Sequence, residues 1–248
     1  MALTDRTILI TGGNSGIGHA LARELQARGN RLIITGRKQA SLQAVLDDNP
    51  GMAGYVLDVT DDAALAAFPA RLIAEHPGLD TVILNAGIME AEDYTATPVD
   101  LDVAERTIAT NLTAPIRMAA AFLPHLRSRP HAALITVSSG LAFVPKAANP
   151  VYSATKAAIH SWTQSLRHQL RDTPVDVHEI APPLVATDLT PGQSRLAAAM
   201  PLQAFTDEVI GLLSRDDIPD EVLVNRVGFQ RNAEAEGRYD AAFAMING

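Results

Sequence analysis

The two residues whose types and spacing most clearly suggest chemistry are Tyr152 and Lys156, which are four positions apart. On a helix, this spacing places both side chains on one face. A phenol, with a reference pKa of about 10, is a poor acid or base at neutral pH. A nearby ammonium group lowers that pKa. The pair therefore predicts a tyrosine that transfers protons. The alternative is an exposed helix pair without a chemical role.

Two serines follow an apolar run, and the second of them, Ser139, precedes Tyr152 by thirteen positions. A hydroxyl group at this place can donate a hydrogen bond to a carbonyl oxygen and fix its orientation. The spacing alone does not choose between Ser138 and Ser139.

A glycine-rich turn runs from Thr11 to Gly18, directly after the first apolar run. Gly12 permits a tight turn, Gly16 lets the backbone approach a pyrophosphate, and Gly18 lets the next helix pack against a sheet. The free N–H groups and dipole of that helix favour an anion. A surface turn is the alternative. The predicted cofactor contacts here are Gly12, Asn14, Ser15, Gly16, Ile17 and Gly18.

The second apolar run ends in Thr35-Gly36 and is followed by Arg37 and Lys38. In a dinucleotide site, an acidic residue here would bind the ribose 2′-hydroxyl group, whereas an arginine accommodates a 2′-phosphate. Arg37 can form a bidentate contact with phosphate, and Lys38 adds a point charge. The sequence favours NADP(H) over NAD(H), with an ordinary basic helix start as the alternative.

Short β-rich runs alternate with Ala- and Leu-rich segments of helical length. The predicted strands are Thr7–Thr11, Arg31–Thr35, Met52–Leu57, Thr81–Asn85, Ala132–Ser138, Val175–Ile180 and Glu221–Val224. The predicted helices are Ile17–Arg28, Ser41–Asp47, Asp62–Glu75, a long stretch near Asp100–Arg127, Tyr152–Arg171, Leu202–Leu213 and Ala233–Ile246. Most strands are apolar on both faces, which is typical of buried parallel strands. The pattern predicts an α/β, Rossmann-type, doubly wound parallel sheet with helices on both faces, in a single domain over residues 1–248.

The glycine spacing G-x-x-x-G-x-G, with the serine and the Tyr-x-x-x-Lys pair, resembles the short-chain dehydrogenase/reductase family in its short single-domain form. The resemblance covers about Thr4 to Thr187. It selects Ser139 rather than Ser138, because the serine and tyrosine of the family are usually separated by this interval. It also implies that Asn111 completes the catalytic set by holding a water that links the lysine to solvent.

The resemblance implies further cofactor contacts. Asp58 and Val59 would meet the adenine, although Asp58 could also cap the helix that begins near Asp61. The Asn85-Ala86-Gly87 segment would support the central sheet and line the nicotinamide side, and Tyr152 and Lys156 would also contact the cofactor. After the sixth strand, the implied contacts are Pro182, Val185 and Thr187.

The loop after the sixth strand departs from the family pattern, which usually has Pro-Gly where this chain has Pro182-Pro183. Proline lacks an N–H group and has a fixed φ. We therefore expect a stiffer loop near the nicotinamide carboxamide. Within residues 185–215, we expect the segment from Asp188 to Met200 to form a flexible lid over the substrate.

The predicted substrate pocket is apolar, without a basic side chain placed to bind a carboxylate or phosphate. We expect an uncharged, moderately hydrophobic ketone or aldehyde, and the matching alcohol in reverse. Core packing under the loops is the alternative role for these side chains. Together with Ser139, the predicted substrate contacts are Leu141, Phe143 and Leu184, with Met89, Val144, Val185 and Leu189 as further candidates.

The composition excludes several classes. Lys and Arg total 20 and Asp and Glu total 28, for a formal net charge of −8, and no basic run argues for nucleic acid or an anionic membrane. The absence of cysteine excludes disulfides, thiol nucleophiles and Cys-ligated zinc. The histidines show no metal-binding spacing. We expect no metal, no transmembrane helix and a cytoplasmic protein. The resemblance also implies a homodimer or homotetramer.

The sequence thus predicts an NADP(H)-dependent oxidoreductase that interconverts a carbonyl compound and its alcohol by hydride transfer. Two alternatives remain. One is a non-catalytic NADP(H)-binding sensor or scaffold on the same fold, because fold does not determine function. The other is an NAD-preferring alcohol dehydrogenase, which Arg37 disfavours.

Overall fold

The computed structural model describes residues 3–248, and a parallel β-sheet forms the centre of this part of the chain. Its seven strands lie in the order β3-β2-β1-β4-β5-β6-β7. The strands are β1 Thr7–Ile10, β2 Arg31–Gly36, β3 Ala53–Val56, β4 Thr81–Leu84, β5 Ala132–Val137, β6 Val175–Ile180 and β7 Glu221–Val222. The strand order reverses between β1 and β4, and such sheets bind ligands at the carboxyl ends of the strands around this point. The predicted doubly wound α/β fold is confirmed.

Nine α-helices connect or flank the strands of the described chain. They are α1 Gly16–Ala27, α2 Gln39–Asp48, α3 Asp62–Glu75, α4 Asp102–Ile108, α5 Ala114–Leu126, α6 Pro150–Leu170, α7 Leu202–Leu213, α8 Gly228–Arg231 and α9 Tyr239–Asn247. None of the helices within residues 3–248 is both long and apolar enough to cross a membrane.

Alternate residues of each strand enter two separate hydrophobic cores. In β1, Ile8 and Ile10 pack with residues of α1 and α7, whereas Leu9 packs with residues of α3 and α5 on the other face. Successive side chains of a strand point to opposite faces, so a strand that is covered on both sides must be apolar throughout. This arrangement explains the apolar runs and holds the strand ends in fixed positions.

The long helix predicted near Asp100–Arg127 is interrupted. Helix α4 ends at Ile108, and a wider π-helical turn over Ala109–Thr113 leads into α5, with the amide of Ala114 donating to the carbonyl of Ala109. The next residue, Pro115, has no N–H group and cannot donate to the carbonyl four residues before it. That carbonyl belongs to Asn111, so the proline and the wider turn coincide at a predicted functional residue.

The C-terminal region agrees with the sequence prediction only in part. Helix α7 forms as predicted, and β7 is limited to Glu221–Val222. The helix predicted from Ala233 begins only at Tyr239, so the first six residues of that prediction are wrong. These residues form turns, and Gly237 has a left-handed φ of 65° that a helix does not permit.

The fold predicts opposite outcomes for one substitution at two helical glycines. A Cβ atom at Gly18 would overlap the Gly12 carbonyl oxygen and lie 2.5 Å from Asn85 Nδ2, whereas one at Gly211 meets nothing within 4 Å. We expect Gly18→Ala to lower the free energy of unfolding by about 1–3 kcal/mol. The control, Gly211→Ala, should raise it by about 0.5–1 kcal/mol. Urea unfolding measures both changes, and equal effects would contradict this packing.

Candidate active site

A cleft of about 840 Å³ opens at the carboxyl edge of the sheet. It is lined by the glycine turn, the ends of β2, β4 and β5, the first turns of α6 and the loop after β6. Of the predicted cofactor residues, those lining the cleft are Gly12, Asn14, Ser15, Gly16, Ile17, Gly18, Arg37, Lys38, Asp58, Val59, Asn85, Ala86, Gly87, Tyr152, Lys156, Pro182, Val185 and Thr187. The structure therefore brings the whole predicted cofactor set together.

The glycine turn is fixed from the end of β4. The Asn85 side-chain amide donates to the carbonyls of Thr11 and Gly12 at 2.9 and 3.2 Å. The Thr11 hydroxyl accepts hydrogen bonds from the amides of Asn85 and Ala86. Gly12 and Gly16 adopt left-handed φ values of 64° and 52°, as expected for a tight turn.

The glycine turn fits a pyrophosphate. Ser15 precedes α1, and among the described side chains it provides no cap hydrogen bond to that helix. The first N–H groups of α1 are therefore available to an anion at the positive end of the helix dipole. Without a Cβ atom, Gly16 leaves open space toward Thr187, whose Cγ2 would lie 3.6 Å from such an atom.

Arg37 and Lys38 follow β2 and line the cleft at the end of that strand. Asn14 reaches across from the glycine turn, and its Nδ2 donates to Ser41 Oγ at 2.9 Å. Gly36 makes room for this contact, because a Cβ atom there would lie 2.6 Å from Asn14 Cγ. Ser41 also lines the cleft and was missed by the sequence analysis, since nothing in the local pattern distinguishes it from a residue inside α2.

Asp58 does not cap a helix, and the alternative reading that gave it this role is wrong. The side chain of Asp61 caps α3 by accepting from the amides of Ala63 and Ala64, each at 3.0 Å. Asp58 instead accepts from the amide and hydroxyl of Thr60. These hydrogen bonds, with a smaller contribution from Arg37, lower the pKa of Asp58.

Helix α6 places Tyr152 and Lys156 on one buried face, at 7% and 5% exposure. The Tyr152 hydroxyl is hydrogen-bonded to the side chain of Ser139. Lys156 Nζ donates to the Val137 carbonyl at 2.8 Å and lies 5.6 Å from the centre of the Tyr152 ring. Val137 and Ser139, at the end of β5, thus hold the predicted acid–base pair.

The two serines have different partners. Ser139 bonds to Tyr152, whereas Ser138 donates its hydroxyl to Glu179 Oε1 on β6. The serine beside the phenol is therefore Ser139, the one that the resemblance selected. Ser138 is more than a turn residue, because it joins the end of β5 to a buried carboxylate.

Asn111 lies in the π-helical turn and is 1% exposed. Its Oδ1 accepts from the amide of Ile88 at 2.9 Å, and its Nδ2 donates to the carbonyl of the same residue at 2.8 Å. A Cβ atom at Gly87 would lie 3.3 Å from Asn111 Oδ1 and 3.7 Å from Lys156 Nζ. Asn111 therefore braces the loop after β4 beside the lysine.

Residues 6–196 match the short chain dehydrogenase family. This chain belongs to that family. It is 39% identical over 250 residues to the uncharacterized oxidoreductase DltE of Bacillus subtilis. The aligned region covers 100% of this chain and 98% of that relative. The NADP-dependent 3-hydroxy acid dehydrogenase YdfG of Escherichia coli is 34% identical over 180 residues, 72% of each chain.

Among solved structures, a short chain dehydrogenase from Burkholderia cenocepacia in complex with NADP superimposes with a TM-score of 0.82. It is 23% identical and covers 99% of both chains, which supports the fold. The protein is therefore an oxidoreductase of the short-chain dehydrogenase family.

The acid–base pair of this short-chain dehydrogenase differs from the sequence prediction in one respect. Burial raises the pKa of Tyr152 to about 12, and the hydrogen bond with Ser139 only partly opposes this increase. Burial lowers the pKa of Lys156 to about 8, against the opposing influence of Glu179. Desolvation disfavours both charged forms and is the largest influence on each of the two pKa values. The phenol is therefore protonated at neutral pH.

The predicted substrate residues are brought together only in part. The residues of this set that line the cleft are Ser139, Met89, Val185 and Leu189. Leu141, Phe143 and Leu184 are not among the described residues that line the cleft. Phe143 instead packs between the His160 ring, 4.8 Å away, and the Arg231 guanidinium, 5.0 Å away. Leu184 is 40% exposed. The family interval locates the serine but does not predict how the residues after it pack.

The loop after β6 is stabilised by hydrogen bonds. The Gly140 amide donates to the Pro182 carbonyl, and the Met200 amide donates to the Leu184 carbonyl, each at 2.8 Å. Gln193, missed by the sequence analysis, is buried and donates to the carbonyl of Val185 at 2.9 Å. The segment predicted as a lid therefore folds back onto the cleft; its flexibility stays a prediction. Over residues 3–248, no three acidic or histidine side chains converge on a metal site.

The buried ammonium of Lys156 leads to a stability prediction. The unfolded chain keeps this proton up to about pH 10.5, whereas the folded chain loses it near pH 8, so wild-type stability should rise with pH between these values. We expect Lys156→Met to raise the free energy of unfolding at pH 7 by about 1–3 kcal/mol. This gain should disappear by pH 10.5, as measured by urea unfolding.

The matched control is Lys146→Met, because Lys146 is only partly buried. It should show no comparable gain at pH 7. If Lys156→Met loses stability equally at pH 7 and pH 10.5, burial does not destabilise the charged form of Lys156.

Proposed function

We propose that this short-chain dehydrogenase is an NADP(H)-dependent carbonyl reductase that interconverts an uncharged ketone or aldehyde and its alcohol. The observation that carries the proposal is the convergence of Ser139, Tyr152 and Lys156 in one cleft with a glycine turn suited to a pyrophosphate. A bound nicotinamide supplies or accepts the hydride.

Side chains of the protein orient the carbonyl oxygen and supply its proton. The Ser139 hydroxyl orients the carbonyl oxygen and polarises it. The Tyr152 phenol, protonated at neutral pH because burial raises its pKa to about 12, donates its proton to the oxygen as the hydride reaches the carbon. The Lys156 ammonium stabilises the phenolate that remains, and Asn111 holds the neighbouring loop so that the phenolate can be reprotonated through water.

The cofactor preference rests on the end of β2. Arg37 and Lys38 line the cleft there, and the side chain after β2 is basic rather than acidic. A guanidinium binds a 2′-phosphate through two parallel hydrogen bonds. The relative YdfG is named as NADP-dependent, which supports the same preference.

The substrate class rests on the charges of the cleft. Among the described lining residues, the basic side chains are Arg37 and Lys38 at the adenosine end and the buried Lys156. Glu90 and Asp188 also line the cleft and would repel an anionic substrate. We therefore expect a neutral substrate, unlike the hydroxy acid in the name of YdfG. A homodimer or homotetramer, implied by the resemblance, stays a prediction.

Replacing the phenol tests the proposed acid. Tyr152→Phe should retain NADPH binding while lowering the turnover of NADPH with benzaldehyde by about 10²–10⁴-fold, because it removes the proton donor. Tyr239→Phe, which keeps a ring that stacks on Phe243, is the control and should remain active. Near-normal turnover in Tyr152→Phe would exclude the tyrosine as the acid. NADPH binding without turnover of any neutral carbonyl by the wild type would favour a sensor or scaffold.

Replacing the guanidinium tests the cofactor preference. Arg37→Asp should lower the ratio of kcat/KM for NADPH over NADH by about 10- to 100-fold, since a hydrogen bond to a charged group contributes about 1.5–3 kcal/mol. The control is Arg127→Asp, which changes an exposed arginine outside the lining of the cleft. An unchanged ratio in Arg37→Asp would refute the phosphate contact.

A further inference from the structure

A buried carboxylate lies directly behind the active site. Glu179, the fifth residue of β6, has no exposed side-chain surface. Its Oε1 accepts a hydrogen bond from Ser138 Oγ, and its Oε2 is 2.8 Å from His160 Nδ1. Burying an ionised carboxylate is costly unless it is paired and hydrogen-bonded. Both oxygens of Glu179 have such partners, and no step of the proposed reaction uses it.

The position of Ser138 connects Glu179 to both members of the acid–base pair. Ser138 stands between Val137, whose carbonyl accepts from Lys156, and Ser139, which bonds to Tyr152. A shift of Ser138 would therefore displace both contacts. The Glu179 hydrogen bond holds the middle of this three-residue segment.

Glu179 is also electrostatically coupled to Lys156, since its charge opposes the effect of burial on the pKa of Lys156. His160 lies one turn after Lys156 on α6 and contacts the carboxylate directly. The Phe143 ring packs edge-to-face against the His160 ring, with 4.8 Å between their centres. The charged or titratable groups that face Glu179 or its partners from the packed elements are Lys156 and His160 of α6, Glu221 of β7 and Arg231 of α8.

We propose that Glu179 is a positioning residue of the active site: its carboxylate fixes the end of β5 through Ser138 and places a negative charge behind the segment that holds Lys156. His160 holds the second carboxylate oxygen in place. This role rests on the proposed function, in which a protonated Lys156 stabilises the phenolate of Tyr152. An apolar side chain would fill the same space without desolvating a charge, but it could not pair with Ser138 and His160.

The pH dependence of kcat/KM tests the effect of the Glu179 charge on Lys156. In the wild type, kcat/KM for benzaldehyde with NADPH should decline at alkaline pH as Lys156 loses its proton. Glu179→Gln keeps the shape and removes the charge, and it should move this decline to lower pH by about one unit. Asp176→Asn removes an exposed carboxylate from the same strand and should leave the decline in place. A decline that stays unchanged in Glu179→Gln would overturn the proposal.

The positioning contact is tested separately. Ser138→Ala removes the hydrogen bond but leaves the carboxylate. It should lower kcat while the alkaline decline stays within a few tenths of a pH unit of the wild type. If Ser138→Ala retains the wild-type kcat, Glu179 does not act through the end of β5, and that half of the proposal is wrong.

A double-mutant cycle on stability tests the same coupling without measuring activity. Glu179→Gln should lower the Tm at pH 7 more in the wild type than in the Lys156→Met background, where no ammonium depends on the carboxylate. Equal losses in both backgrounds would overturn the electrostatic role. If Glu179→Gln alone does not fold, the double variant should fold, and failure of both would indicate a purely structural role. If Tyr152→Phe and Lys156→Met remain active, the proposed function fails, whereas the cycle still tests the charge coupling.

Discussion

The arrangement of this site depends on keeping one ammonium group inside the protein. Lys156 is 5% exposed, and burial lowers its pKa to about 8. Its hydrogen bond to the Val137 carbonyl and the charge of Glu179 oppose this loss of the proton. An amine balanced in this way remains charged at neutral pH yet is sensitive to small changes around it. Stability and the proposed proton transfer therefore depend on the same few contacts.

The scaffold provides these contacts from elements far apart in the sequence. The parallel sheet places the ends of β4, β5 and β6 at one edge, where the glycine turn also lies. The π-helical turn brings Asn111 against Ile88 and the loop after β4, and α6 presents Tyr152 and Lys156 to the end of β5. Because the strands are covered on both faces, these positions are held by two cores.

The sequence predicted what local patterns encode. The apolar strands, the glycine turn and the Tyr-x-x-x-Lys pair all depend on nearby residues, and the structure places them as expected. The partners of Ser138 and Asn111 could not be predicted, because Glu179 and Ile88 approach them only after the sheet has formed. The raised pKa of Tyr152 was missed because burial is a property of the folded chain. Phe143 was misplaced because its packing partner Arg231 lies in the C-terminal region, which no motif describes.

The charge of Lys156 can be measured directly, because the chain contains only three lysines, Lys38, Lys146 and Lys156. In protein labelled with ¹³C at lysine Cε, an NMR titration should resolve three curves, assigned by single substitutions. One curve, lost in Lys156→Met, should have a midpoint near pH 8. A Lys156 midpoint at or above pH 10 would contradict the account, because it would mean that the ammonium is not restrained by burial.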